Sequence, residues 1–308
     1  MILAVCANTS LDRSAVVPGF TPGKLHRIGR VHAQPGGKGI NVARILKALG
    51  LPVLTVGFAG GETGRWIAQG LRREGLSADL AAISGESRSC FAVLDTKGLK
   101  VTEIDEEGPE VSIPEVHKLT NLVSRHLGRA KIAIFAGSLP PGCPLDTYRR
   151  WVEMARKAGA IALVDAAGAA LAEALDARPF LIKPNQTEAE DLLGYRLDTH
   201  SAIGRALDHF GAKADVVALT LGERGAALFG EGRKWRVVPP AVKAINTVGC
   251  GDAFLAGFVA AMVRTLPLER ASRLAVAAGT ANATSVGAGT APAQTIDKLE
   301  PDVRVLPL

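Results

Sequence analysis

The chain has 308 residues, 47% hydrophobic but only 5% aromatic, with a formal charge of +6 and four cysteines. This length buries a full-sized core without staples, and the widely spaced Cys6, Cys90, Cys143 and Cys250 form no C-x-x-C pair, which excludes a zinc module and fits a reducing cytoplasm. The basic residues are scattered and rarely interleaved with aromatics, so they read as a solvated surface suited to a small anionic substrate and not as a nucleic-acid groove.

In chain order, Ile2–Ala7 predicts a first strand, too short and too poor in flanking basic residues for a signal segment. Ser14–His32 then breaks the pattern and reads as hairpin strands outside the main sheet. Pro35-Gly36-Gly37-Lys38-Gly39-Ile40-Asn41 opens a helix, Gly39–Leu49, with apolar positions at Ile40, Ala43, Leu46 and Leu49. Glycines, a lysine and an asparagine at a helix mouth can hold hydroxyls and a phosphate, although Gly39 after Lys38 breaks the P-loop spacing. An exposed Lys38 on a plain glycine turn is the bland alternative. Val53–Phe58 and Thr63–Glu74 continue as strand and helix, followed by a second out-of-pattern hairpin, Arg88–Asp105, around Thr96-Lys97-Gly98.

Helices are expected over Pro114–Leu127, Leu145–Lys157, Ser201–Phe210, Ala253–Arg264 and Leu268–Ser285, and strands over Lys131–Phe135, Ile161–Val164, Phe180–Ile182 and Val216–Thr220. Apolar strands alternating with amphipathic helices predict an α/β fold, a mostly parallel sheet covered on both faces, with ligands at the strand ends. The two hairpins would add a small β-lid to a single domain over residues 1–308, with lid strands from about 14–32 and 88–105. The apolar run Ala253–Val263 is too short to span a bilayer, so no membrane anchor is expected.

The strongest chemical signal is Asn246-Thr247-Val248-Gly249-Cys250-Gly251-Asp252 running straight into the apolar helix. Its glycines let the backbone approach an anion at the helix start, where Asp252 can take a proton from an attacking hydroxyl. The bland alternative is an N-capping aspartate. Ala136-Gly137-Ser138-Leu139-Pro140, Lys183-Pro184-Asn185 with Glu188, and Leu221-Gly222-Glu223-Arg224-Gly225 are weaker marks. Asn185 and Glu188 could orient a hydrated Mg²⁺ or, equally, close an N-x-x-E capping box.

In this order and spacing the motifs resemble the ribokinase-like carbohydrate kinases of the PfkB family over nearly the whole chain, in particular the phosphosugar-kinase branch. The resemblance implies ATP-dependent phosphorylation of a ketohexose phosphate, fructose 1-phosphate foremost, with tagatose 6-phosphate and fructose 6-phosphate as alternatives. It implies Asp252 as base and Gly249, Cys250 and Gly251 as the anion hole. Asp12, Gly36, Gly37, Lys38, Asn41 and Ser138 would hold the sugar, with Arg88 and Lys38 on its phosphate. Lys183, Asn185, Thr220, Gly222, Gly225 and Asn282 would line the ATP site, and Asn185 and Glu188 would place Mg²⁺. A monovalent cation near Asn246 and Val248 is left open. A homodimer through the lid is implied as well, with Val16, Ile28, Phe91, Val93 and Val101 on one apolar face. Asp105 stands where the family pattern usually has Asn, which puts a carboxylate near an anionic substrate. A dinucleotide-dependent oxidoreductase is the rival, opposed by Asn8-Thr9-Ser10-Leu11-Asp12 where G-x-G-x-x-G would stand. A non-catalytic sugar-phosphate sensor is opposed by the intact Gly249–Asp252 segment.

Overall fold

The computed structural model describes residues 1–98 and 100–308; residue 99, within the expected Arg88–Asp105 hairpin, lies outside the described residues. The first seven strands are β1 Ile2–Cys6, β2 Ser10–Val16, β3 Val31–Gly36, β4 Val53–Gly60, β5 Ser77–Ile83, β6 Arg88–Asp95 and β7 Lys100–Asp105. Then come β8 Ile132–Ala136, β9 Ile161–Asp165, β10 Leu181–Ile182, β11 Val216–Thr220, β12 Ala226–Gly230, β13 Arg233–Val238 and β14 Arg304–Pro307. The helices are α1 Lys38–Ala48, α2 Gly61–Arg73, α3 Ile113–Leu127, α4 Thr147–Lys157 and α5 Gly168–Asp176. They continue as α6 Gln186–Leu193, α7 His200–Gly211, α8 Cys250–Val263, α9 Leu268–Ala283 and α10 Ala293–Leu299.

Ten strands make one sheet in the order β14-β13-β12-β11-β10-β9-β8-β1-β4-β5, parallel from β11 to β5 and antiparallel over its last three members. Helices on both faces explain why β1 is buried at every position: a strand covered twice needs an unbroken apolar run. On one face Ile40 and Leu46 of α1, Leu255 and Phe258 of α8 and Leu274 of α9 share a core. On the other, Leu119 of α3, Tyr148 and Trp151 of α4, Leu171 of α5 and Phe210 of α7 form the second. α8 is apolar nearly all round because α1, α9 and the sheet enclose it. A Cβ at Gly257 would come within 2.8 Å of the Leu274 carbonyl, so that glycine sets the close approach to α9.

Four strands form the separate sheet β3-β2-β6-β7, in which β2 and β6 run parallel and the other pairs antiparallel. The expected first hairpin is corrected here: its strands lie at and beyond the ends of Ser14–His32, and residues 17–30 between them carry no strand. The expected single apolar face is corrected too. Register pairs Val93 with Thr102 but Leu94 with Val101, so Val93 and Val101 point to opposite faces. Phe91 and Val93 pack with Ala15, Val17 and Phe20 in a small core of their own, whereas Val16 and Val101 share the face that carries Asp12 and Arg88.

Candidate active site

Parallel strands deliver their C-terminal ends to one edge of the sheet, and the lid leans over that edge. Between them runs a continuous cleft of about 1340 Å³, reached by Asp12, Lys38, Asn41, Arg88, Ser138 and Asp252 at one end. Lys183, Asn185, Thr220, Gly222 and Gly225 line its other end.

Asp252 sits in the first turn of α8, but it is not the cap. Gly249 is, with φ 76°, and no side chain caps the helix, so its first amides face the cleft without a helical acceptor. A Cβ at Gly249 would approach the Gly289 amide to 2.9 Å. The Asp252 side chain is buried, and its Oδ2 accepts from Asn41 Nδ2 at 2.8 Å. Burial foremost, then the Asp165 charge, pushes its carboxyl up to about 6, against the pull of Lys38, the Asn41 bond and Lys183. Behind this turn, Asn246 Oδ1 accepts from the Val248 amide at 2.9 Å while its Nδ2 donates to the Val286 carbonyl. Asn282 is fully buried: its Nδ2 donates to the Val248 carbonyl at 2.9 Å and its Oδ1 accepts from the Thr290 amide. Asn282, expected to line the ATP site, does not reach the cleft; it braces the Val248–Gly249 turn from behind.

Lys38 lines the cleft and is held there by acids. Its Nζ lies 2.9 Å from Asp165 Oδ1 and 3.3 Å from Glu188 Oε1; burial works against its charge, but Asp165, then Glu188 and Asp252, outweigh it and leave the amine firmly charged. These contacts hold the amine at the Asp252 end of the cleft. Asp165, absent from the sequence reading, is buried at the end of β9 and also lies 3.1 Å from Lys183 Nζ. The two lysines outweigh its desolvation and hold it below the ordinary carboxylate range. A single acid thus places two cations side by side.

Asn185 Oδ1 accepts from the Glu188 amide at 2.8 Å and Glu188 Oε2 accepts from the Asn185 amide at 2.9 Å, a closed capping box. Lys38 lies on the other Glu188 oxygen, so the pair caps α6 with one contact already on each carboxylate oxygen. Among the described residues no group of three His, Cys, Asp or Glu side chains could hold a metal.

At the lid end Asp12 Oδ1 accepts from Ser10 Oγ at 2.5 Å, and burial pushes its carboxyl up. Gly36 is required beside it, because a Cβ there would fall 2.0 Å from Asp12 Oδ2. Gly37, with φ 100°, has the same constraint from Cys6 Sγ, at 2.6 Å from a built Cβ. Ser138 Oγ accepts from Asn8 Nδ2 at 3.0 Å. Arg88 donates through Nη1 to the Glu106 carbonyl at 3.1 Å, while its buried Nε has no partner. Asp105 does not turn away: it lines the cleft with Glu103, whose carboxyl is pushed up by burial, then by Asp105 and Asp12. Burial foremost, with the Asp12 and Asp105 charges, pushes the Cys90 thiol up to about 12. Toward the Gly222 end Gly225, at φ 85°, leaves no room for a Cβ, which would meet the Val237 carbonyl at 2.0 Å, and Pro239, Pro240, Ala241, Val242 and Ala244 continue that wall.

A family model described as pfkB family carbohydrate kinase matches residues 3–296. The chain is 36% identical over 308 residues to the 1-phosphofructokinase of Bacillus subtilis (strain 168), covering 99% of each sequence. It is 28% identical over 313 residues to a tagatose-6-phosphate kinase of Staphylococcus epidermidis, again over 99% of both. Among solved structures, phosphofructokinase-2 from Escherichia coli in complex with potassium superposes with a TM-score of 0.90 at 28% identity over 98% of each chain.

Proposed function

The chain belongs to the pfkB family of carbohydrate kinases, and on that premise we propose that it transfers the γ-phosphoryl group of ATP to a ketohexose phosphate, fructose 1-phosphate before others. The observation that carries the reading is the Asp252 carboxylate, buried, oriented by Asn41 and set beside the uncapped amides of α8. ATP fits the half of the cleft where glycines at Gly222 and Gly225 keep the floor open, with its phosphates toward the buried, Asp165-paired Lys183. The sugar enters under the lid, its hydroxyl toward Asp252 and its phosphate toward the unpartnered Arg88 Nε. Asp252 accepts the hydroxyl proton as the oxygen attacks. The backbone of Gly249 to Gly251, at the mouth of α8, faces the oxygens of the transferring group, and Lys38 and Lys183, spaced by Asp165, offset its charge.

Mg²⁺ enters this reading with the nucleotide phosphates and not through a protein cage, in keeping with its preference for water and few protein oxygens. We extend the reading to a monovalent cation beside Asn246 and Val248, since the E. coli relative was solved with potassium. A homodimer through the lid is part of it as well, supported by exposed apolar side chains at Val16, Val31 and Ile104 on the lid and Leu25 and Ile28 beside it. Four free cysteines suit a cytoplasmic enzyme, and among the described residues no helix is long and apolar enough to cross a membrane.

The test is ADP release with fructose 1-phosphate, tagatose 6-phosphate, fructose 6-phosphate and the unphosphorylated sugars, each at saturating Mg-ATP. Fructose 1-phosphate should give the highest kcat/KM. A faster reaction with an unphosphorylated sugar would overturn the substrate class, and one with tagatose 6-phosphate would reassign the sugar alone.

A further inference from the structure

Arg44 lies one turn beyond Asn41 on α1 and is 13% exposed. All five of its N–H donors are used. Nε and Nη2 fork onto Glu74, at 2.7 and 3.4 Å; Nη1 donates to Asn41 Oδ1 at 2.9 Å and to the Ala288 carbonyl at 3.1 Å; and Nη2 also donates to the Pro35 carbonyl at 2.6 Å. One side chain therefore joins α1, the end of α2, the lid strand β3 and the loop after α9. Gln34, next to Pro35, donates to the same Ala288 carbonyl at 2.7 Å.

A guanidinium has no acceptor, so the Asn41 atom facing it must be the amide oxygen. The Asn41 NH₂ group is thereby forced to face Asp252 Oδ2. Without Arg44 the Asn41 amide is free to turn over, which would set its oxygen against a carboxylate and drive that carboxylate to rotate or take up a proton.

Resting on the kinase reading, we propose that Arg44 is a positioning residue for phosphoryl transfer: through Asn41 it fixes the direction of the Asp252 carboxylate, and through Pro35 and Ala288 it ties that direction to the root of the lid. Arg44 touches neither the sugar nor the nucleotide end; it acts through Asn41. The other charged groups facing Asp252 are Asp165 from β9, Lys38 from α1 and Lys183 beyond β10. None of them contacts Arg44, so its removal changes the Asn41 contact and leaves theirs in place.

The experiment compares wild type, Arg44→Met, Asn41→Ala, the double variant and Glu74→Gln. Arg44→Met should lower kcat roughly tenfold or more with KM for ATP within about twofold, and should move the acid limb of the kcat/KM profile to higher pH, as Asn41→Ala does. The double variant should be no slower than Asn41→Ala within about twofold, because both changes remove one contact. Glu74→Gln, which loosens the same guanidinium without touching Asn41, should lower the melting temperature and leave kcat and the limb in place. Arg44→Lys replaces Arg44→Met in every comparison if the latter does not fold. Multiplying losses in the double variant, an unmoved limb, or a Glu74→Gln rate loss equal to that of Arg44→Met would overturn the inference. An inactive wild type overturns the kinase reading and this inference together; an active one with any of those outcomes overturns this inference alone.

Discussion

Replacing Asp252 by Asn removes a base and keeps a shape, and the structure gives the change a stability signature as well as a catalytic one. The Asp252 carboxyl is displaced from the usual 3.8 to about 6 by burial first and the Asp165 charge second. The native state thus holds this proton more tightly than the unfolded chain does. Its contribution to stability is fully present below about pH 4, is lost as pH rises through 6, and amounts to roughly 3 kcal/mol. An amide never ionises, so Asp252→Asn should unfold only slightly above wild type near pH 4.5 and several degrees above it at pH 8. Its kcat should fall about 10²- to 10⁴-fold, the range of a lost general base. Wild-type kcat/KM should itself fall away below about pH 6 as Asp252 takes up its proton. Thermal unfolding at the two pH values, with coupled ADP release on the same preparations, separates the causes, since loss of activity through misfolding would lower the melting temperature. A melting difference independent of pH, or more than about a tenth of the wild-type kcat, would refute the reasoning.

Arg88→Ala should raise KM for the phosphosugar about tenfold or more and leave KM for ATP alone, whereas Lys38→Met should act mainly on kcat, because its amine lies among Asp165, Glu188 and Asp252. Equal KM effects from the two would restore a shared phosphate site. Glu188→Ala should cost about 1 kcal/mol in stability through the lost capping box without moving the Mg²⁺ concentration at half-maximal rate; a large shift in that concentration would make Glu188 a metal ligand after all. Ile104→Asp, a change at a 63% exposed lid position, should turn a dimer into a species near 32 kDa by light scattering. A wild-type mass already at that value, with full activity, would refute the lid dimer.

The parts of the fold that the sequence shows are those in which one stretch of chain carries its own signal. β1 is an unbroken apolar run, α1 and α4 repeat their apolar positions at helical spacing, and Asn185 and Glu188 announce a capping box three residues apart. Where the signal depends on a neighbour, it fails. β5 starts on exposed and half-exposed residues, and β12 reads Ala-Ala-Leu-Phe-Gly, poor in strand formers; with β13 and β14 they become strands because β4 and β11 offer a ladder edge. The lid shows the opposite error: its residues are visible, but their faces depend on a register that places Val93 and Val101 apart. The site divides the same way. Glycine turns at Gly37 and Gly249 are visible because backbone geometry demands them locally, yet Lys38 could not be placed, since its partner Asp165 is 127 residues away. One mark of Asp165 was available: a carboxylate ending the otherwise apolar run Ile161–Asp165, at the strand end where such sheets bind ligands. A buried acid at that place needs cations to neutralise it, and the two lysines at helix and strand mouths, Lys38 and Lys183, were the candidates to supply them. Charge balance inside the cleft, more than spacing along the chain, is what places these three side chains together.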